Sequence, residues 1–468
     1  MPGRLHLRGW PDALHPARRV RGLRRLRARV PRRGHLLRGR RPGAVVRLHR
    51  RERRLLRRPR IARRCGEGRQ DRLRPALHQV APADGRELSV TEAPSAGLAT
   101  RVSRRRVSDR LPVFPWDTIA EAKTTASAHP HGIVDLSVGT PVDPVAPVIR
   151  DALASVAEQA GYPTTAGTTA LRAAATAALQ RRYGIAGVAD DAVLPVIGTK
   201  ELIAWLPTLL ALGSDDLVVV PELAYPTYEV GARLAGARTL RADGLTRLGP
   251  ENPSLIFVNS PSNPSGRVLG AAHLRKVVEF ARERGAVVVS DECYLGLSWD
   301  APAVSILADD VSGGDHTGLL AVHSLSKTSN LASYRAGFVA GDGALVAELL
   351  AVRKHAGMMV PLPVQAAMTA ALSDDEHEAE QRERYRARRT ALAAALTAAG
   401  FRIDHSEAGL YLWATRGESG RASASWFADR GILVAPGEFY GPDGEQHVRI
   451  ALTATDERIA AAVARLTV

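Results

Sequence analysis

The run Ser324-Leu325-Ser326-Lys327-Thr328, with Arg335 eight residues after the lysine, is where this 468-residue chain points most directly to covalent chemistry. It follows Leu319–His323, an apolar run that reads as a strand. A lysine just past a buried strand is desolvated. Desolvation and neighbouring cations lower its pKa and free the amine as a nucleophile able to form an imine. Hydroxyls beside it and an arginine on the next turn suit an anchored phosphate. The pentapeptide alone is equally compatible with a solvated loop lysine beside helix-capping serines, so other segments must decide.

Several other segments carry residue types that complete such a site. Asp135-Leu136-Ser137-Val138-Gly139-Thr140-Pro141 ends an extended stretch in a turn, where Gly139 lets a ligand approach the backbone. Gly198-Thr199-Lys200-Glu201 stands between a strand and a helix, and the free N–H groups and dipole of such a junction hold anions. Tyr225-Pro226-Thr227-Tyr228 follows a strand and offers Tyr225 as a stacking platform for a planar group, although a core tyrosine reads the same way. In Asn259-Ser260-Pro261-Ser262-Asn263-Pro264, a buried asparagine amide can donate to a phenolate oxygen. Asp291 ends the apolar run before Glu292-Cys293-Tyr294. A carboxylate there is costly unless paired, and a protonated pyridine nitrogen is a suitable partner. Tyr294 can reach the same ring. Arg449, inside His447–Leu452, offers a bidentate fork for a carboxylate, with a surface salt bridge as the plain alternative. Together these residues suggest pyridoxal phosphate carried on Lys327.

The elements that must position them alternate. Strands are expected at Val193–Ile197, Leu217–Val220, Leu255–Asn259, Ala286–Ser290, Leu319–Ser324 and Ala336–Ala340, several of them continuous apolar runs typical of strands covered on both faces. Helices are expected at Thr169–Tyr183, Glu201–Leu212, Tyr228–Leu234, Ala271–Arg284 and Leu345–Ala356. This pattern predicts an α/β domain with a mostly parallel sheet. After Pro361 a charged helix, Glu376–Ala399, precedes short strands at Leu410–Ala414, Ile432–Val434 and His447–Leu452, which predicts a smaller α+β domain. The Pro-rich stretch Leu111–Asp143 is expected to be extended and to pack on it. The expected organisation is an Arg-rich extension over 1–89, a flexible lead-in over 90–110, an arm belonging partly to the small domain over 111–150, a large domain over 151–365 and a small one over 366–468.

Composition narrows the classes. The net charge of +16 suggests a nucleic-acid partner, but residues 1–100 hold 28 Arg, no Lys and 7 acidic residues, leaving residues 101–468 with 36 basic against 41 acidic. The long C-terminal portion is mildly acidic, and neither nucleic acid nor membrane is expected as a partner. No apolar run reaches the roughly 18 residues that span a bilayer. Cys65 and Cys293 stand 228 positions apart, which disfavours a disulfide framework or a cysteine metal site and suits a reducing cytoplasm. Residues 1–89 lack periodicity and Lys. They are expected to be an out-of-frame reading of an upstream ferredoxin-like gene with the start near Val90, the alternative being a basic arm.

In their order, Gly139, Tyr162, Gly198-Thr199, Tyr225, Asn263, Asp291 with Tyr294, Ser324-x-x-Lys327, Arg335 and Arg449 resemble the fold-type I, class I/II pyridoxal phosphate aminotransferases over about residues 108–468. The resemblance implies a large domain with a mostly parallel seven-stranded sheet flanked by helices, plus a smaller α+β domain. It implies Lys327 as Schiff-base lysine and proton shuttle, and Asp291 on the pyridine nitrogen. Asn263 and Tyr294 would bind O3′, and Tyr225 would stack on the ring. Gly198, Thr199, Ser324 and Arg335 would hold the phosphate, joined by Tyr162 from the neighbouring subunit of a homodimer. Arg449 would bind the substrate α-carboxylate, with Gly139 closing over it. Ser329-Asn330 departs from the Gly or aromatic of many relatives. The runs Asp135–Ile149, Pro195–Leu212, Val352–Pro361 and Gly409–Gly417 are similar to actinobacterial succinyldiaminopimelate aminotransferases of lysine biosynthesis, which implies amino-acid and 2-oxoacid substrates. Lys200, Arg353 and Lys354 are then candidates for distal carboxylate or succinyl groups. Alternatives are an aspartate or aromatic aminotransferase, a carbon–sulfur lyase, and a transcription regulator carrying the same fold.

Overall fold

The computed structural model describes residues 106–467, so the expectations for residues 1–89, most of the lead-in and Cys65 lie outside the described residues. Strand β1, Val134–Asp135, belongs to the N-terminal arm. Seven strands then build one sheet: β2 Val193–Ile197, β3 Leu217–Val220, β4 Arg238–Arg241, β5 Leu255–Asn259, β6 Val287–Asp291, β7 Leu319–Ser324 and β8 Ala336–Gly341. Their order is β2-β8-β7-β6-β5-β3-β4, and β8 alone runs antiparallel to its neighbours.

Alternate residues of the apolar strands feed two cores on opposite faces. Val219, Ile256, Val288 and Ala321 face one, while Val218, Phe257, Val289 and Val322 face the other. That two-sided burial is why these segments read as unbroken apolar runs. Strand β4, Arg-Thr-Leu-Arg, carries no such run because it is the polar edge of the sheet.

The smaller unit has β9 Arg402–Ile403, β10 Tyr411–Thr415, β11 Ile432–Leu433, β12 Ala435–Pro436 and β13 Val448–Ala451, with β12-β13-β10-β9 forming an antiparallel sheet. Strand β1 pairs in parallel with β11, so the arm is stitched to this unit. The arm is not extended throughout as expected. Ala-Glu-Ala-Lys-Thr-Thr-Ala-Ser, mostly tolerant of helix, forms the helix Ala120–Ser127. Ile119 and Ala126 are buried with Trp413, Ala428 and Leu433.

Two expected boundaries need correction. The limits at 150 and 365 both fall inside helices, Pro147–Ser155 and Leu362–Ser373. These helices pack on each other, and Ile149, Val364, Met368 and Leu372 all enter the large-unit core. Apolar burial, rather than the Pro at 361, decides where that unit ends.

Candidate active site

Asn259, Asp291 and Ser324 are the last residues of β5, β6 and β7. Side chains at the carboxyl ends of such strands border the crevice where open α/β sheets bind ligands. Lys327 follows three residues beyond β7. Burial pushes its amine down, and the guanidinium groups of Arg449 and Arg335 push the same way. Its Nζ donates to the Gly139 carbonyl.

The loop carrying the lysine is held from the small unit. Tyr385 Oη donates to the Lys327 carbonyl at 3.3 Å. Ser329 Oγ lies 2.9 Å from His377 Nε2, and Asn330 Nδ2 donates to Gln381 Oε1 at 2.8 Å. All three partners stand on the helix Glu376–Ala398. Ser329 and Asn330 thus dock on that helix through their polar side chains.

Asp291 is buried, and burial drives its carboxyl up despite hydrogen bonds that stabilise the charge. Tyr228 Oη donates to Oδ2 at 2.8 Å, and the Cys293 amide donates to Oδ1 at 3.2 Å. Among the described residues it has no cationic partner within ion-pair distance. Asn259 fixes the turn that follows β5, accepting from the Asn263 amide at 2.7 Å and donating to the Asp291 carbonyl at 2.9 Å.

The anion side is built from backbone. Gly198, at φ 79°, caps the helix Thr199–Leu209. A Cβ placed there would overlap the Arg335 guanidinium, so the glycine admits the arginine beside the helix N-terminus. Gly198→Ala is expected to weaken cofactor retention roughly 10- to 150-fold, because its Cβ displaces the Arg335 guanidinium and costs a hydrogen bond to a charged group, read by spectral titration of the cofactor into stripped protein.

Arg449 lies on β13 opposite Trp413. Its guanidinium donates to Asn263 Oδ1 at 2.9 Å and to the Ser137 carbonyl, while Nε is buried without a hydrogen-bond partner among the described residues. The rings of Tyr411, Tyr440 and Trp116 stand 4.0, 5.0 and 5.9 Å away. Tyr411 also meets Tyr294, hydroxyl to hydroxyl, at 3.2 Å. Burial works to raise Tyr411, but Arg449 and Lys327 outweigh it and hold the phenol below its usual value.

Contacts join Lys327 to Gly139, Gly139 to Tyr411, and Tyr411 to Tyr294 and to Arg449, which bonds Asn263; Gly198 adjoins Arg335, and the Thr199 hydroxyl lies 3.4 Å from the Cys293 thiol. Tyr225, pushed up to about 12 by burial, stands edge-on to Tyr228 with centroids 6.0 Å apart. Tyr162 is not part of this crevice within the chain, being 97% exposed.

The residues expected at the distal groups separate into three situations. Arg353 is fully buried and donates to both Glu201 oxygens at 3.1 and 3.2 Å, so it is not available to a substrate. Arg353→Ala should destabilise the fold by about 3–5 kcal/mol, since it strands a carboxylate, with a lowered midpoint in denaturant as the measure. Lys354 is exposed at the end of the helix Gly343–Ala356. Lys200, by contrast, lies 5.6 Å from the Phe114 ring and 6.0 Å from that of Tyr225, lowered by burial and then by Arg335. Sequence reasoning missed Tyr228 and Tyr411. Tyr228 stands in the same Tyr-Pro-Thr-Tyr run as Tyr225, whereas Tyr411 reads as a core residue of an apolar strand.

This donor set fits a phosphorylated pyridine aldehyde. It offers a desolvated amine, a buried carboxylate with no cation in ion-pair distance among the described residues, an amide and a phenol for an oxygen, and a helix N-terminus with arginine for the phosphate.

The family model described as aminotransferase class I and II matches residues 131–466. A protein of Mycobacterium tuberculosis named "Probable aminotransferase Rv1178" is 68% identical, the alignment covering 90% of this chain and 99% of that one. The 4-dedimethylamino-4-oxo-anhydrotetracycline transaminase OxyQ of Streptomyces rimosus is 59% identical over 76% of this chain and 99% of its own. A solved structure titled "probable N-succinyldiaminopimelate aminotransferase", from Thermus thermophilus, superposes with a TM-score of 0.68 at 28% identity, covering 76% of this chain and 99% of that one. The chain belongs to the class I and II aminotransferases, enzymes that work with pyridoxal phosphate.

Proposed function

We propose that the protein transfers the amino group between glutamate and the acyl-amino oxo acid N-succinyl-2-amino-6-oxopimelate, forming N-succinyl-LL-2,6-diaminopimelate and 2-oxoglutarate. The observation that carries the reading is Arg449, a buried fork whose unpartnered Nε and aromatic collar suit a substrate carboxylate. Lys200, with no ion-pair partner among the described residues and aromatic rings beside it, supplies a second cation for a distal acyl carboxylate. The Thermus protein's title supports the same substrate class.

When bound, pyridoxal phosphate supplies an aldehyde that joins the substrate amine and a ring that takes up the electron pair released at Cα. Lys327 holds the cofactor at rest, and its desolvated amine takes the proton from substrate Cα and returns it nearby. Asp291 keeps the ring nitrogen protonated, while Tyr228 and the Cys293 amide orient the carboxylate. Asn263 and Tyr294 bind the ring oxygen, and Tyr225 supports the ring face. Gly198, Thr199, Ser324 and Arg335 hold the phosphate, and Gly139 lets the arm close on the substrate. Tyr162, exposed as it is, reaches the phosphate site of a second copy in a homodimer.

The test is a coupled assay of the purified protein with N-succinyl-LL-2,6-diaminopimelate and 2-oxoglutarate, with glutamate formation expected. No glutamate from a protein that carries the cofactor rejects this substrate. A second reading, a planar polycyclic ketone, is favoured by the Phe114–Trp116 arm beside Arg449 and Lys200 and by the Streptomyces relative. The same assay with an aromatic oxo acceptor separates the two.

A further inference from the structure

Tyr411 touches three parts of the site at once. On β10 it lies diagonally across from Arg449, because Trp413 faces Arg449 and Ala451 faces Tyr411 in the β10–β13 register. Diagonal neighbours of this kind are within reach of aromatic and long side chains. The guanidinium sits 4.0 Å from the Tyr411 ring centroid. At the other end of the ring, the hydroxyl stands 3.2 Å from that of Tyr294, with the two rings edge-on. Gly139 crosses above, where a Cβ would collide with the Tyr411 hydroxyl, and the Gly139 carbonyl accepts from Lys327.

A phenol has a single proton to donate. If Tyr294 gives its proton to Tyr411, it has none for the cofactor oxygen; if Tyr411 donates instead, the Tyr294 proton is free to point there. The partner hydroxyl therefore decides where the Tyr294 proton points. The ring decides where the Arg449 fork points, since its stacking is the closest aromatic contact that guanidinium makes.

We propose that Tyr411 is a positioning residue for amino transfer, its hydroxyl directing the Tyr294 proton and its ring seating Arg449 for the substrate carboxylate. The inference rests on the roles just given to Lys327, Tyr294 and Arg449. It makes the two ends of one side chain separable: the hydroxyl acts on the cofactor and the ring on carboxylate affinity.

Two variants separate them, Tyr411→Phe and Tyr411→Leu, in the cofactor-loaded protein. The first readout is the pH midpoint of the absorbance of the cofactor bound to Lys327, which needs no substrate. Both variants should move it downward, because Tyr411 no longer competes with the ring oxygen for the Tyr294 proton and a polar hydroxyl beside the Lys327 amine is lost. The second readout is KM for glutamate. Tyr411→Phe should keep it within about twofold, and Tyr411→Leu should raise it about three- to thirtyfold. An unmoved or upward midpoint in Tyr411→Phe overturns the hydroxyl's role, and equal KM values in the two variants overturn the ring's. If the leucine variant does not fold, the phenylalanine variant still decides on its midpoint and its KM. A failure of the substrate reading shows up instead as absent turnover in the parent, with the midpoints still measurable.

Discussion

Lys327→Ala should abolish amino transfer, with kcat falling by at least about 10⁴-fold, because one amine both anchors the cofactor and carries the proton. The two roles are lost together, so their effects do not add as separate contributions. The structure explains why no neighbour substitutes. Lys200 lies against Phe114 and Tyr225, and Arg335 and Arg449 are guanidinium groups that do not deprotonate in proteins. Lys327 is also the amine held against the Gly139 carbonyl. Single-turnover measurements with glutamate check the loss, and an unchanged denaturation midpoint in the variant excludes unfolding as its cause. A residual rate within tenfold of the parent would assign the proton transfer elsewhere.

Asp291→Asn carries the second large expected effect, in two directions at once. The asparagine keeps the shape, its Oδ1 accepting from the Cys293 amide and its Nδ2 donating to the Tyr228 hydroxyl, but it brings no charge to hold the ring nitrogen protonated. Loss of one preorganised electrostatic partner costs about 10²–10³-fold in kcat. In the cofactor-free protein the same change should stabilise. Burial raises the folded-state value of this acid above its ordinary 3.8. Its ionisation therefore costs stability, a cost absent well below pH 3.8, growing as pH rises from there to the folded value and constant above it. At neutral pH the cofactor-free variant should melt higher than the parent, while the loaded variant reacts more slowly. Melting curves of stripped protein near pH 4 and pH 7.5 test the first half; an equal difference at both would detach the effect from the carboxylate.

Which parts of this could be read in advance follows from where the signal lies. The central strands were legible because both faces are buried, so Leu217–Val220 and Leu319–Ser324 stand out without any partner information. The helix Thr169–Tyr183 was legible in its bounds, with Thr168 as its cap and Gly184 past its end. The edge strand Arg238–Arg241 was not, since pairing on one side leaves no apolar run. Among site residues, Lys327, Asp291 and Arg449 were legible because a charged residue inside or just past an apolar strand demands a partner. Tyr411 and Tyr228 were not, because a tyrosine in such a place satisfies the core as well as a site. Arg353 misled for the opposite reason: its carboxylate partner is Glu201, 152 positions away, and nothing local records the pairing.

The most direct test of the central claim is to reduce the purified, cofactor-loaded protein with borohydride, digest it and locate the added mass. The pyridoxyl phosphate mass is expected on the peptide containing Lys327 and not on that containing Lys200. A modified Lys200 peptide, or an unmodified Lys327 peptide from protein that retains the cofactor, would contradict it.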